Sequence, residues 1–409
     1  MYRIQQGNSP TPSRRRRAVG LVATLLVLIA GGGAAATWRI YHSPGTTHAP
    51  VSHPAASAER PVATVAGRYL LNGTVVWARA VERDAKHASG SPDYAQPFSQ
   101  LDTFNRAAYD AWSTDFECPI TNNVVPYQQQ VDNLIFNCRP EFLPEAAKYF
   151  NLFDLANNHT DNQGGMVGLA ETRRRLAATP GVQYFGSFDP SVSKDVCEVV
   201  ALPVRLQNQN KTETKASLPV AMCAWHYFYR KPLPGEMAVM QRYAKIMPVF
   251  AFVEMGTEYH AKANDTQVDI AHQIIDQDPE FLIANNPHWV QNTEVYKNKL
   301  IVYSTGNFIF DQLDTETQRS ASIDVTVSAP YNANTAKWIA LGPACQTFQD
   351  DCLQTAEQQG LAKVPLKLRY GVVAGQGGAG KVTHRADTAT QTAVETRLNW
   401  AQSMQELGQ

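Results

Sequence analysis

Several apolar runs in this chain stop abruptly at polar residues, and that pattern restricts the fold more than any other. The polar groups are Asp115-Phe116-Glu117, Ala156-Asn157-Asn158-His159-Thr160-Asp161, Val253-Glu254 and Asn285-Asn286-Pro287-His288. They follow runs such as Val249-Phe250-Ala251-Phe252-Val253 and Phe281-Leu282-Ile283-Ala284. Open α/β sheets place ligands at the ends of parallel strands. Oxygen and imidazole groups meeting there would form a metal or phosphate site, although histidines are few for one.

Helix-like stretches alternate with strand-like ones, as an α/β architecture requires. Residues 106–110 precede Ala111-Trp112-Ser113-Thr114, 141–149 precede 152–156, and 266–276 precede 281–283. In 168–178, Leu169, Thr172, Arg173 and Leu176 recur at helical spacing, and Pro180-Gly181 closes the helix before a strand at 182–185. Further strands are predicted at 300–303 and 321–327, and a polar surface loop at 207–217. Beyond Cys345 the pattern weakens. Residues 357–368 are expected to pack on the domain and 375–390, rich in Gly and Thr, to be loose.

The N-terminus reads as an address. Arg14-Arg15-Arg16-Arg17 precedes an uncharged stretch at 18–37, whose length of about 20 residues is enough to cross a bilayer. Positive charge stays inside, so the expected order is a cytoplasmic tail at 1–17, a transmembrane signal-anchor at 18–37, a flexible linker at 38–61, the main domain at 62–344 and an extension at 345–409. The protein would be single-pass in the cell membrane, with the large domain extracytoplasmic. The alternative is a cleaved signal ending near Ala34-Ala35-Ala36.

All six cysteines follow residue 37. In an oxidising compartment they permit three disulfides, the nearest pairs being Cys118/Cys138, Cys197/Cys223 and Cys345/Cys352. Connectivity stays open, but the last pair is expected to close locally. No Cys-x-x-Cys motif offers thiol redox chemistry or a thiolate zinc site. A formal charge of −1 without a basic tract after Arg17 argues against nucleic acid as a partner. Neither a Gly-x-Ser-x-Gly elbow nor a phosphate-binding P-loop is present.

Five tracts together carry a family resemblance: Gly73-Thr74-Val75-Val76-Trp77-Ala78-Arg79; Asp115-Phe116-Glu117-Cys118-Pro119-Ile120-Thr121; Leu155 through Asp161, followed by Gly164 and Gly165; Asn285 through Gln291; and Tyr303-Ser304-Thr305-Gly306-Asn307-Phe308-Ile309-Phe310-Asp311. In order and spacing they resemble the bacterial capsule synthesis (CapA, poly-γ-glutamate) family, related to calcineurin-like metallophosphoesterases. The resemblance implies a four-layer α/β sandwich with metal-binding loops at strand ends. It places Glu117, Asn158, His159, Glu254 and His288 at ligand positions. Thr74 stands where the family has a metal-binding Asp, Asn286 where it has a His, and Glu254 where a His precedes a Trp-Gly pair; Glu258 follows as a further acid.

That donor set suits one hard divalent cation, Mg, Mn or Ca, better than two. Catalytic roles would fall to His159 and to Asp161, which would accept the ring proton of His159 and fix its tautomer. Arg79, Thr74 and Asn286 would meet an anionic substrate. Each has a blander role open to it: turn formation for Asn158 and Asn286, a helix cap for Glu117, and an ion pair for Arg79. The implied function is synthesis, attachment or export of a capsule or poly-γ-glutamate-type polymer, by a scaffold of weak or no catalysis. The alternative is a metal-dependent hydrolase of a phosphoester, amide or other envelope linkage. Implied partners are the membrane, through the N-terminal helix, and an anionic surface polymer or its export machinery.

Overall fold

The computed structural model describes residues 62–186, 196–208, 212–227, 232–347 and 349–409. They all fall within one compact unit, 58–409. The segment expected to anchor the chain, 18–37, and the whole of the expected linker, 38–61, lie outside the described residues. Among the described residues no helix is long and apolar enough to cross a membrane. The longest, Ala333–Thr347, has 15 residues and at 1.5 Å per residue spans only about 22 Å, short of a hydrocarbon core of about 30 Å. The expected single-pass topology, and the membrane as a partner through an N-terminal helix, are corrected to that extent: no helix among the described residues supports them.

The fold is mixed α/β, a central mixed sheet flanked by helices. Its strands are β1 (Val62–Val75), β2 (Ala111–Phe116), β3 (Leu152–Asp154), β4 (Gln183–Phe185), β5 (Cys197–Asn208), β6 (Glu213–His226) and β7 (Val249–Glu254). They continue with β8 (Phe281–Asn285), β9 (Thr293–Tyr296), β10 (Lys299–Val302), β11 (Asn307–Ile309), β12 (Arg319–Pro330), β13 (Lys367–Gly377) and β14 (Thr383–Arg385). The main path runs β14-β13-β12-β1-β5-β6-β7-β8-β10-β9, with β2, β3 and β4 branching from β1.

β1 makes the branch because it is long enough to change partners. Its first residues lie between β12 and β5, both antiparallel to it. Further on β2 replaces β5, and at Thr74 and Val75 β11 replaces β12, both now parallel. Successive side chains face opposite sides of a strand, so Tyr69 and Leu71 enter one apolar core with β5 to β8 while Leu70 enters a second. Trp112, Phe116 and Phe153 join Leu70 in that second, aromatic-rich core under the loops of the first half of the chain.

The helices Met166–Ala178 and Asp265–Ile275 fall where the spacing predicts them. The second is capped by Asn264, whose side chain accepts from Gln267 N at 2.9 Å, a favoured N-cap residue. The stretches at 106–110 and 141–149 give only single turns, Arg106–Ala108, Pro140–Phe142 and Leu143–Ala146. All three nearest cysteine pairs form disulfides.

Two segments expected to be loop are strand. Within 207–217, Gln207 and Asn208 end β5 and Glu213 begins β6, a hairpin whose polar residues are the exposed ends of paired strands. The stretch 375–390 holds the end of β13, β14 and the start of the helix Thr388–Leu398. It is ordered because β13 pairs with β12 from Ser328↔Lys367 to Arg319↔Gln376. The expected division at 344/345 falls inside the helix Ala333–Thr347.

Candidate functional site

Parallel pairing puts the strand ends in line. Asn307, Thr74, Asp115 and Asp154 are successive register partners across β11, β1, β2 and β3. His226, Glu254 and Asn285 form a second row across β6, β7 and β8. The close approach at the first row demands glycine: a Cβ on Gly73 would lie 1.9 Å from the Gly306 carbonyl oxygen, and Gly306 has φ +71°. Thr74 N donates to that same carbonyl at 3.1 Å.

Four buried carboxyls gather around these rows: Asp115, Glu117, Asp154 and Glu254. Thr74 Oγ1 donates to Asp115 Oδ2 at 2.7 Å and Asn157 Nδ2 to Asp115 Oδ1 at 3.1 Å. Even so, burial pushes the Asp115 carboxyl up to about 6. Burial also raises Glu117, Asp154 and Glu254 well above the ordinary carboxylate range, and the negative charge of Asp115 adds to each. A carboxylate deprived of water is costly without a cation or donors to replace it.

The nitrogen donors stand beside them. His159 Nε2 lies 3.8 Å from Glu117 Oε1. Its Nδ1 meets Asn162 Oδ1 at 2.7 Å, so the ring is oriented by Asn162 and not, as the sequence implied, by Asp161. Asp161 is only partly buried, and burial raises its carboxyl. The imidazole of His288 contacts Asn307 Oδ1 through Nδ1 at 2.8 Å, which leaves Nε2 as the atom for a ligand. Burial lowers both imidazoles to about 4, so both are neutral at pH 7 with a lone pair to offer.

Glu254 Oε2 accepts from Asn158 N at 2.6 Å, which joins the two rows. Asn158 Oδ1 is buried and has no hydrogen-bond partner among the described residues. Buried polar atoms almost always have partners. An amide oxygen left over on a residue whose backbone N reaches Glu254, and whose neighbour His159 reaches toward Glu117, is a donor that suits a hard cation. Among the described residues, no three His, Cys, Asp or Glu side chains are drawn together tightly enough to enclose an ion by themselves.

Arg79, Thr74 and Asn286 are engaged within the protein. Arg79, at φ +53°, pairs with Asp311 through Nε and Nη2, and its guanidinium lies over the rings of Phe136 and Phe310 at 4.9 and 5.3 Å. Thr74 serves Asp115. Asn286, at φ +101°, donates Nδ2 to the Gly256 carbonyl at 2.8 Å. Sequence reasoning gave no site role to Asp115, Asp154, Asn162, Asn307, Asp311 and Phe136. Asp115, Asn307 and Asp311 sit inside the tracts already singled out and were open to notice as polar strand-end residues. Phe136, stacked on His159 at 4.2 Å, left no such signal.

Comparison with known proteins agrees with the tracts that led to this pocket. A family model described as bacterial capsule synthesis protein PGA_cap matches residues 68–312, which include every residue placed in the pocket. The capsule biosynthesis protein CapA of Bacillus anthracis is 26% identical over 320 residues, spanning 74% of this chain and 71% of that protein. The PGA biosynthesis protein CapA of Bacillus subtilis (strain 168) is 38% identical over 68 residues, 17% of this chain and 18% of that protein. Among solved structures, a putative 5'-nucleotidase from Staphylococcus aureus in complex with alpha-ketoglutarate gives a TM-score of 0.38 at 9% identity, covering 82% of this chain and 58% of that one. The protein TT1561 of Thermus thermophilus gives 0.33 at 9% identity, covering 75% and 98%. With the matched model spanning more than half of its residues, this chain belongs to the bacterial capsule synthesis protein PGA_cap family.

Proposed function

We propose that this chain works in the making of a capsule polymer of the poly-γ-glutamate type, and that its strand-end pocket holds one divalent cation of the Mg, Mn or Ca class. The observation that carries the cation is the unpartnered, buried Asn158 Oδ1 among buried carboxyls and neutral imidazoles. Glu117 and Glu254 would supply charge, His159 and His288 their Nε2 atoms, and Asn158 its oxygen. Asp115 adds negative charge from the first row. The polymer side of the proposal rests on the family and on its Bacillus relatives. We assign the finer architecture, the four-layer sandwich of the calcineurin-like metallophosphoesterases, on the resemblance of the five tracts.

A bound cation polarises the group it touches and activates water. The residues prepare for it in separate ways: Asn162 and Asn307 fix the tautomers of His159 and His288, Asp311 holds Arg79 at the rim, and the Phe136 ring shields His159 from water. Binding without turnover is the favoured mode, because Thr74 is committed to Asp115 and the Asn286 amide nitrogen to Gly256, which leaves a second ion short of donors. Hydrolysis of an envelope linkage is the competing mode. Manganese titration followed by electron paramagnetic resonance, with His159→Ala alongside, separates the two. One site per chain, weakened at least about tenfold in H159A and without turnover, is the expected result; two tight sites with turnover lost in H159A would overturn it.

A further inference from the structure

Next to the strand-end pocket, and sharing Arg79 with it, is a second cavity of about 300 Å³. Four cations line it, Arg79, Arg83, Lys86 and Arg139, against one acid, Glu82. The remaining surface is largely aromatic or aliphatic, with Tyr94, Tyr127, Phe142 and Val125 contributing. A lining of this kind is divided between charge and grease, and few ligand classes match both at once.

The cations are not used up by their neighbours. Arg79 engages Asp311 through Nε and Nη2, and Arg83 engages Asp84 through the same two atoms at 2.6 and 2.9 Å. A guanidinium has five N–H donors, so the Nη1 groups of both remain for a ligand. Lys86 is exposed and makes no ion pair among the described residues. Arg139 is the most committed, to Glu141 at 2.7 Å and to Glu82 at 3.7 Å. Burial raises the Glu82 carboxyl, and Arg139 at 3.7 Å offsets its charge toward an incoming anion.

We propose that this cavity binds a γ-linked glutamyl chain and delivers it past Arg79 to the strand-end pocket. This rests on the polymer reading above and adds to it the place and the manner of recognition. Each γ-linked residue carries one free carboxylate and two methylenes. The carboxylates meet Lys86 and the Nη1 groups of Arg79 and Arg83 as charge-assisted hydrogen bonds, while the methylenes lie along Tyr94, Phe142 and Val125. No base-stacking or phosphate-specific geometry is needed, and any chain lacking regularly spaced carboxylates leaves the cations unmatched.

The test uses the full chain and a fluorescein-labelled γ-linked glutamate decamer at low salt, read by fluorescence anisotropy. Arg83→Glu with Lys86→Glu changes two exposed side chains. It is expected to weaken binding at least about tenfold while leaving manganese binding in the strand-end pocket unchanged. A γ-linked isoglutamine decamer, with the same backbone but a neutral carboxamide in place of each free α-carboxylate, should not bind. If the wild-type chain binds the glutamate decamer and the double variant binds it equally well, or the neutral decamer does as well, this inference is overturned and the polymer reading survives. No binding of the glutamate decamer by the wild-type chain overturns both.

Discussion

The wall of the pocket built from the ends of β1 to β3 is closed by a disulfide as well as by hydrogen bonds and stacked rings, whereas the wall built from β7, β8 and β11 has amide and hydroxyl hydrogen bonds and a ring stacked on His288 but no disulfide among the described residues. On the first wall the Cys118–Cys138 disulfide begins one residue after Glu117, and Cys138 Sγ accepts from Trp77 N at 3.2 Å. Two residues before Cys138, Phe136 stacks on His159 and lies under Arg79. On the second wall His288 leans on Asn307, Asn307 on Gln312 at 2.9 Å, and Gln312 on the Tyr259 hydroxyl at 2.8 Å. Thr305 closes the set by donating to Asn285. The first wall therefore resists movement, and the second can exchange partners at about 1 kcal/mol per bond. A cation or chain entering the pocket meets one fixed side and one that adjusts.

Breaking the disulfide is the most severe test of that contrast. Cys118→Ser with Cys138→Ser opens a link across a separation of 20 residues and should cost about 3 to 4 kcal/mol in urea unfolding. The ring protons of His159, followed by NMR, should shift and broaden as Phe136 loosens, while those of His288 stay in place. Equal disturbance of both imidazoles would mean that the walls are coupled.

Titration sharpens the comparison next. The folded Asp115 carboxyl sits at about 6 against an ordinary 3.8, a raised value. Its contribution to stability is thus fully present below about 3.8 and is lost as pH rises through about 6, a change on the order of 3 kcal/mol. The two histidines run the other way: with folded values lowered to about 4, their contribution is present above about 6.5 and lost as pH falls toward 4. Asp115→Asn should remove the Asp115 component while those of the raised Glu117, Asp154 and Glu254 remain, so that between about pH 4 and 6 the stability of the cation-free variant falls less, or rises more, with pH than that of the wild type, measured by denaturant melts. An unchanged profile would place Asp115 in contact with water.

The mildest change is Asn307→Ala on the adjustable wall. It removes the Nδ1 partner of His288 and should cost about 1 to 2 kcal/mol. Cation affinity should fall severalfold as the ring turns, with His159 undisturbed. A loss as large as that from the disulfide variant would show that the second wall is as rigid as the first.

What the sequence made legible was what each strand carries at its own end. Glu117, His159, Glu254 and His288 were readable because an apolar run stopping at a polar residue is a local signal. Their supports were not. Asp311 lies 232 residues from the arginine it holds and Asn307 lies 19 from the histidine it orients, so only the fold introduces them. The pairing of His159 with Asn162 instead of Asp161 turns on which of two neighbouring side chains faces the ring, a matter of one bond rotation. β13 was missed because most of its side chains are half exposed, which blurs the alternation that marks a strand with one buried face. The hairpin at β5 and β6 was hidden in the same way, since its far ends are polar on both sides.

β1 has a consequence for how the molecule comes together. Its partners are spread from Ala111 to Pro330, and Arg68, on β1, closes on Asp324 across 256 residues of chain. A polypeptide delivered from its N-terminus cannot complete the seam until β12 has arrived. Until then β1 has an unpaired edge, open to wrong pairing. Contacts this distant in sequence also make for slow folding. Chaperone cover over the first 330 residues, and not the strength of any single contact, would then set the yield of folded protein.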